Sequence, residues 1–114
     1  MIKIKRVYDA VEAGDGRRYL VDRLWPRGIK KSALNIDGWI KEAAPSTELR
    51  QWFHHDPSRW NEFRLRYFAE LESEPEAWEP IAELQRNGTV TLLYSAKDTD
   101  HNHAIVLMEF LNAH

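Results

Sequence analysis

Asn87-Gly88-Thr89-Val90-Thr91-Leu92-Leu93-Tyr94 sets a stop signal directly against a β-prone run. Asn-Gly ends the preceding helix, because glycine enters the left-handed backbone region that closes helices without steric cost. Val90 to Tyr94 is then apolar at nearly every position. A strand apolar on both sides belongs inside a sheet with helices on its faces, the usual setting of parallel strands. Before the stop, Trp78, Ile81 and Leu84 recur at helical spacing, which predicts a helix from about Glu76 or Pro80 to Arg86. After the strand comes a polar loop, 95–102, and then a segment, His103 to Leu111, that is apolar almost all round and reads as a buried helix.

Working back toward the N-terminus, Asp56-Pro57 reads as a cap and first helical residue. The core side of that helix is Trp60, Phe63, Tyr67 and Leu71, with Glu62, Arg66 and Glu70 at i,i+4 spacing outside. Ser46 is the expected N-cap of a shorter helix carrying Leu49, Trp52 and Phe53. Leu34, Ile36, Trp39, Ile40 and Ala43 predict a further short helix over 35–43. Arg18 to Trp25 reads as a strand that Pro26 ends, and Ile2 to Tyr8 alternates apolar and basic residues like an edge strand. The expected order is β-β-α-α-α-α-β-α. The fold class is α/β, a single domain over 1–114 with a three-stranded, predominantly parallel sheet and helices packed around it.

Composition narrows the chemistry. A chain of 114 residues with 43% hydrophobic content and five tryptophans can bury one real core. It has no cysteine, which excludes a disulfide framework, a thiolate metal site and a cysteine nucleophile, and fits a reducing cytoplasm. No apolar run is long enough to cross a bilayer, and Met1-Ile2-Lys3-Ile4-Lys5 is too short and too alternating for a signal peptide, so no membrane association is expected. Net charge is −2, but residues 1–34 hold nine Lys or Arg against four acids, and the remainder seven against fourteen. The basic third can attract an anion while the whole molecule stays acidic, or its arginines can pair with glutamates of the later helices.

Two strands run into conspicuously polar sequence, Asp22-Arg23-Leu24-Trp25-Pro26-Arg27-Gly28 and Ser95-Ala96-Lys97-Asp98. Ligands of open α/β sheets sit beyond the carboxyl ends of the strands, so these loops meet if the strands are parallel neighbours. Arg23 and Arg27 can form a fork for carboxylate or phosphate, Trp25 and Pro26 a stiff apolar wall, and Gly28 the turn that shapes it. The plain alternative is a solvated Arg27 and a core Trp25. Asp22 is costly to bury unless paired, whether in a structural pair with Lys97 or an arginine or as a functional carboxylate. Ser95, Lys97 and Asn102 lie at the start of the last helix, where free amides favour an anion. Asp98 or Asp100 can equally cap that helix. Asp22, Asp98 and His54 are the candidates for proton transfer. A Ser95–Lys97 nucleophile lacks a third partner in view. His54-His55-Asp56 and His101-Asn102-His103 lack metal-site spacing, so neither a metal nor another cofactor is expected.

Leu20 to Gly28, Ala44-Pro45-Ser46 with Leu49-Arg50, Trp52 to Pro57, Trp60 with Phe63 and Tyr67, and Thr91 to Asp98 with Asn102-His103-Ala104 together resemble the YeaO-like family, small bacterial proteins of the domain of unknown function 488 type. The resemblance covers nearly the whole chain and implies a single α/β domain in the cytoplasm, with no established reaction. Relatives in the wider group carry a cysteine after the corresponding third strand and a Cys-His-Arg run opening the last helix. Here Ser95 or Ala96 and Asn102-His103-Ala104 stand there, so cysteine chemistry does not carry over.

The function expected is binding of a small phosphate- or carboxylate-bearing metabolite at the strand ends, with acid/base catalysis as an extension. One alternative is an interaction or regulatory module presenting Trp39, Trp52 or Trp78. Another is nucleic-acid binding through the basic third, disfavoured because the aromatics sit at core spacing and the later helices are acidic.

Overall fold

A computed structural model describes residues 1–114. Its sheet has four parallel strands, not three, in the order β1-β4-β2-β3. β1 is Ile2–Arg6, β2 Arg17–Leu20, β3 Gly38–Trp39 and β4 Val90–Tyr94. As expected for an apolar run, β4 is central and every residue in it is buried. It pairs Leu92 with Ile4 on one side and with Tyr19 on the other. The hydroxyl of Thr91 within it donates to the Asp15 carbonyl at 2.7 Å.

Four α-helices follow: α1 Thr47–Phe53, α2 Trp60–Ser73, α3 Pro75–Arg86 and α4 His103–Asn112. Ser46 caps α1 by accepting from the Leu49 amide at 3.1 Å. Asp56 accepts from the Ser58 amide at 3.0 Å and starts a 3-10 turn, Pro57–Arg59, that leads into α2. α3 begins at Pro75, a residue suited to a first helical position, and retains Pro80 inside. All four helices contribute to one core with Val90, Leu92 and Tyr94. Alternation sends Leu93 to the opposite face, where it meets Val7, Leu20 and Leu34. That face is covered by the loop between β2 and β3, through Trp25, Ile29 and Ile36, and not by a helix.

Two elements differ from the sequence expectation. Residues 35–43 do not form a helix. Gly38–Trp39 is a strand paired with Tyr19 and Leu20, followed by the 3-10 turn Lys41–Ala43. The apolar residues there serve two cores: Leu34, Ile36 and Trp39 join the loop-covered face, while Ile40 and Ala43 join the helical face. The second strand ends at Leu20, not at Trp25. Its last bond to β4 is Val21 N to Leu93 O at 3.1 Å, and β3 is only two residues long, so no ladder partner remains farther on. No helix is long and apolar enough to cross a membrane.

Two cations of the basic third, Lys5 and Arg18, pair with acids of the same third. Lys5 Nζ lies 2.9 Å from Asp15 and 2.7 Å from Glu12, and Arg18 also binds Asp15. This cluster pins the crossover between β1 and β2. Gly16 makes the crossover possible: its φ is 64°, and a Cβ there would lie 2.1 Å from the Thr89 carbonyl oxygen. Gly16→Ala is therefore expected to cost about 3 kcal/mol or more in urea unfolding, from left-handed strain plus a backbone clash that cannot relax.

The hydrogen bond from Lys5, aided by the Glu12 amide and Arg18, holds the Asp15 carboxyl at about 2 against the opposing effect of burial. A folded pKa below the unfolded value of about 3.9 means that the stabilisation is complete above the unfolded value and is lost as pH falls through the folded one. Asp15→Asn should unfold at lower urea than wild type at pH 7, and the gap should close between about pH 4 and pH 2. A gap that persists unchanged at pH 2 would contradict the assignment.

Candidate functional site

A cleft of about 550 Å³ opens at the carboxyl ends of β2 and β4. Its walls are the loop 21–27, the segment 44–55 and the loop 95–103, with Tyr8 from the end of β1. The two polar strand ends singled out in the sequence do meet, because β2 and β4 are parallel neighbours.

Asp22 joins them. Its Oδ2 accepts from the Ser95 amide at 3.0 Å and from the Ser95 hydroxyl at 2.6 Å. Its Oδ1 lies 3.1 Å from His103 Nε2, which is also 3.0 Å from the Val21 carbonyl oxygen. Both oxygens can only accept here, so Nε2 carries a proton. Burial raises the Asp22 pKa, but the His103 imidazole beside Oδ1 and the Ser95 hydrogen bonds to Oδ2 outweigh it and hold the carboxyl below its ordinary value. The partners are thus a serine and a histidine, neither Lys97 nor an arginine.

Arg23 and Arg27, read as a fork, have separate fates. The Arg23 guanidinium donates to the Ala44 carbonyl at 3.1 Å and to the Pro45 carbonyl at 3.3 Å, fastening the 44–45 segment to the loop. Arg27 is exposed and lines the cleft, and its carbonyl accepts from the Tyr8 hydroxyl at 3.2 Å. Trp25 also lines it, half-buried, with Nε1 donating to the Ile29 carbonyl at 2.7 Å and its ring edge-on to Trp39 at 5.4 Å. Gly28, at φ 79°, takes the left-handed turn that follows.

On the second loop, Lys97 is exposed and outside the cleft lining. Asp98 is outside it too: its Oδ1 accepts from the amides of Asp100 at 2.8 Å and His101 at 3.0 Å, and its Oδ2 faces His101 Nδ1 at 3.1 Å. Those amides and His101 lower its pKa. Asn102, not an aspartate, caps α4, accepting from the Ile105 amide at 3.1 Å. It is buried, and it also lines the cleft. The Ser95 hydroxyl donates to Asp22 and not to Lys97, so the Ser95–Lys97 pair does not form.

His54 lines the cleft, and sequence reasoning missed several of its neighbours. Arg50, His55, His101 and His103 line it as well, so four of the chain's five histidines gather in one cleft. The signal available in the sequence was that the histidines fall in two short runs, 54–55 and 101–103, flanking the helices that border the strand ends. No three His, Cys, Asp or Glu side chains are grouped so as to hold a metal ion.

The family model described as "Inactive DUF488-N3 subclade" matches residues 1–114. The chain belongs to this DUF488 subclade. It is 50% identical over 112 residues to the uncharacterized protein YeaO of Escherichia coli (strain K12), covering 98% of this chain and 97% of the relative. It is 40% identical over 111 residues to the uncharacterized protein Rv3073c of Mycobacterium tuberculosis (strain ATCC 25618 / H37Rv), covering 97% of this chain and 93% of the relative. The uncharacterized protein Mb3100c of Mycobacterium bovis matches to the same extent, 40% over 111 residues. The resemblance drawn from the Val21–Gly28 motif is thereby borne out. No solved structure matches the chain.

In this DUF488-N3 chain the Asp22 carboxylate is the joint of the cleft. Asp22→Asn removes its charge while keeping its shape, and should lower the free energy of unfolding at pH 7 by about 2 kcal/mol, the scale of hydrogen bonds to an ionised group. The folded pKa of Asp22 lies below its ordinary value, so the loss should shrink as pH falls through that folded value. Urea titrations of both proteins at neutral and acid pH measure it.

Proposed function

We propose that the protein binds a small anionic metabolite, one bearing phosphate or carboxylate, in the cleft beyond β2 and β4. The observation that carries this reading is the charge of the lining: it holds three arginines, Arg23, Arg27 and Arg50, against a single carboxylate, Asp22, which is already engaged by Ser95. Unlike Arg23, the Arg27 and Arg50 side chains make no hydrogen bond or ion pair within the protein, so their donors are available to a ligand. Arg50 takes the place that Lys97 was expected to fill. The cleft also lies where ligands of open α/β sheets bind.

Binding without turnover is the form of this reading best supported. Asp22 is fixed by Ser95 and His103, and Asp98 is turned to its own loop, which leaves His54 alone among the three proton-transfer candidates. The family description "inactive" points the same way. The cysteine-free sequence fits the reducing cytoplasm as the place of binding.

Calorimetric titration with inorganic phosphate, then with phosphorylated and carboxylated metabolites, tests it. Arg27→Ala and Arg50→Ala should each weaken a hit by about tenfold or more, the loss of a charge-assisted contact. Added salt should weaken wild-type binding as well. Failure of every anion to bind at millimolar concentration, or hits indifferent to both substitutions, would sink the proposal.

A further inference from the structure

We propose that the anion is amphiphilic: a phosphate or carboxylate head on an apolar body, an aromatic ring being the simplest that fits. This rests on the anion-binding reading above. Five large hydrophobic side chains are exposed, and two of them, Leu24 at 65% and Tyr8 at 51%, line the cleft. Single exposed hydrophobics are ordinary on any surface. Two on the wall of one cationic cleft, both held in place, are a different matter.

Leu24 is held by its neighbours. The Asp22 carboxylate is bound to Ser95, and the Asp22 carbonyl accepts from Trp39 Nε1 at 2.7 Å. The Arg23 guanidinium is bound to the Ala44 and Pro45 carbonyls. The Trp25 indole is bound to the Ile29 carbonyl. Pro26 follows with its φ fixed by the ring. The chain on both sides of Leu24 is therefore tied to the body of the protein, while the leucine side chain stays in solvent. Tyr8 is tied as well: its hydroxyl donates to the Arg27 carbonyl, and the Arg6 guanidinium lies 4.9 Å from its ring centroid. A rigid apolar wall loses little freedom when a ligand covers it. Covering it removes apolar surface from water, which a bare inorganic anion cannot do. The cleft floor continues this character through Phe53 and Phe63.

Size agrees with the chemistry. At about 550 Å³ the cleft falls inside the span of small-molecule sites, roughly 300–1,000 Å³. A lone phosphate would leave most of it filled with water. With Arg27 and Arg50 for the head and Leu24, Tyr8, Trp25 and Pro26 beside the body, the lining matches an aryl or similarly apolar phosphate or carboxylate.

The test is calorimetry on the intact protein with phenyl phosphate, inorganic phosphate and benzyl alcohol. Phenyl phosphate should bind roughly tenfold tighter than inorganic phosphate, the gain from covering a modest apolar area, and benzyl alcohol should not register. Leu24→Ser should erase most of that gain and leave inorganic phosphate binding unchanged. Because Leu24 is exposed, the variant should keep the wild-type Tm, and Tyr8→Ser provides a second removal of the wall. Benzoate against acetate, run alongside, tells a carboxylate head from a phosphate head. If inorganic phosphate binds but the ring adds nothing, or if the gain survives both substitutions, the amphiphile inference is overturned and the anion reading stands. If none of the four anions binds, both fall together.

Discussion

Beyond Leu20 and Tyr94 the main chain no longer holds β2 and β4 together. Their last ladder bond is from Val21 to Leu93, and the next contact is made by a side chain. The Asp22 carboxylate takes the amide and hydroxyl of Ser95 on one oxygen and has the His103 imidazole beside the other. A carboxylate suits this place because the groups facing it are donors, and a neutral side chain would satisfy them less strongly. Through that one group the loop after β2, the loop after β4 and the first turn of α4 are fixed together. The walls of the cleft are these same segments, so its shape depends on the joint more than on either strand.

The sheet is covered unequally, and this couples the fold to the site. All four helices lie on the face of Val90, Leu92 and Tyr94. On the other face the cover is the loop after β2, which packs Trp25, Ile29 and Ile36 against Leu20 and Leu93. The same loop must also form a wall of the cleft. It divides the tasks residue by residue: Asp22 and Arg23 bind neighbouring loops, Trp25 touches both core and cleft, and Leu24 and Arg27 are left to solvent. A segment pinned at so many points has little freedom to rearrange, so the shape of the cleft is set by the fold itself.

How much of this was legible depended on where each residue found its partners. The stop at Asn87-Gly88 and the apolar run behind it identified β4, because burial on both faces leaves no other pattern. Phe63, Tyr67 and Leu71 identified the buried side of α2, because one helix face meets one core. Residues 34–43 misled for the opposite reason. Their apolar side chains serve two cores on opposite faces of the sheet, and the sum of two strand-like assignments imitates a helical spacing. β3, at two residues, is too short to leave any period. The position of the cleft could be read from polar strand ends. The division of labour within it could not, since Arg23 is claimed by carbonyls at Ala44 and Pro45, some twenty residues away, while Arg27 is not. Nothing local distinguishes the two arginines.

The histidines carry the least legible part. His54 and His55 have φ values of 47° and 52°, consecutive left-handed residues with full side chains. His54 ends α1 in the position where glycine is the inexpensive choice, and each such residue costs roughly 1–2 kcal/mol in local conformation. Glycine at either position would relieve that strain and still turn the chain, so chain reversal alone does not require histidine. Both residues, however, line the cleft, as do His101 and His103. Local strain of this kind persists where surrounding structure imposes it, and it tends to gather at sites that bind. The two strained residues thus favour the same location as the free arginines. They do so on independent grounds, because backbone conformation and side-chain charge are separate properties of the chain.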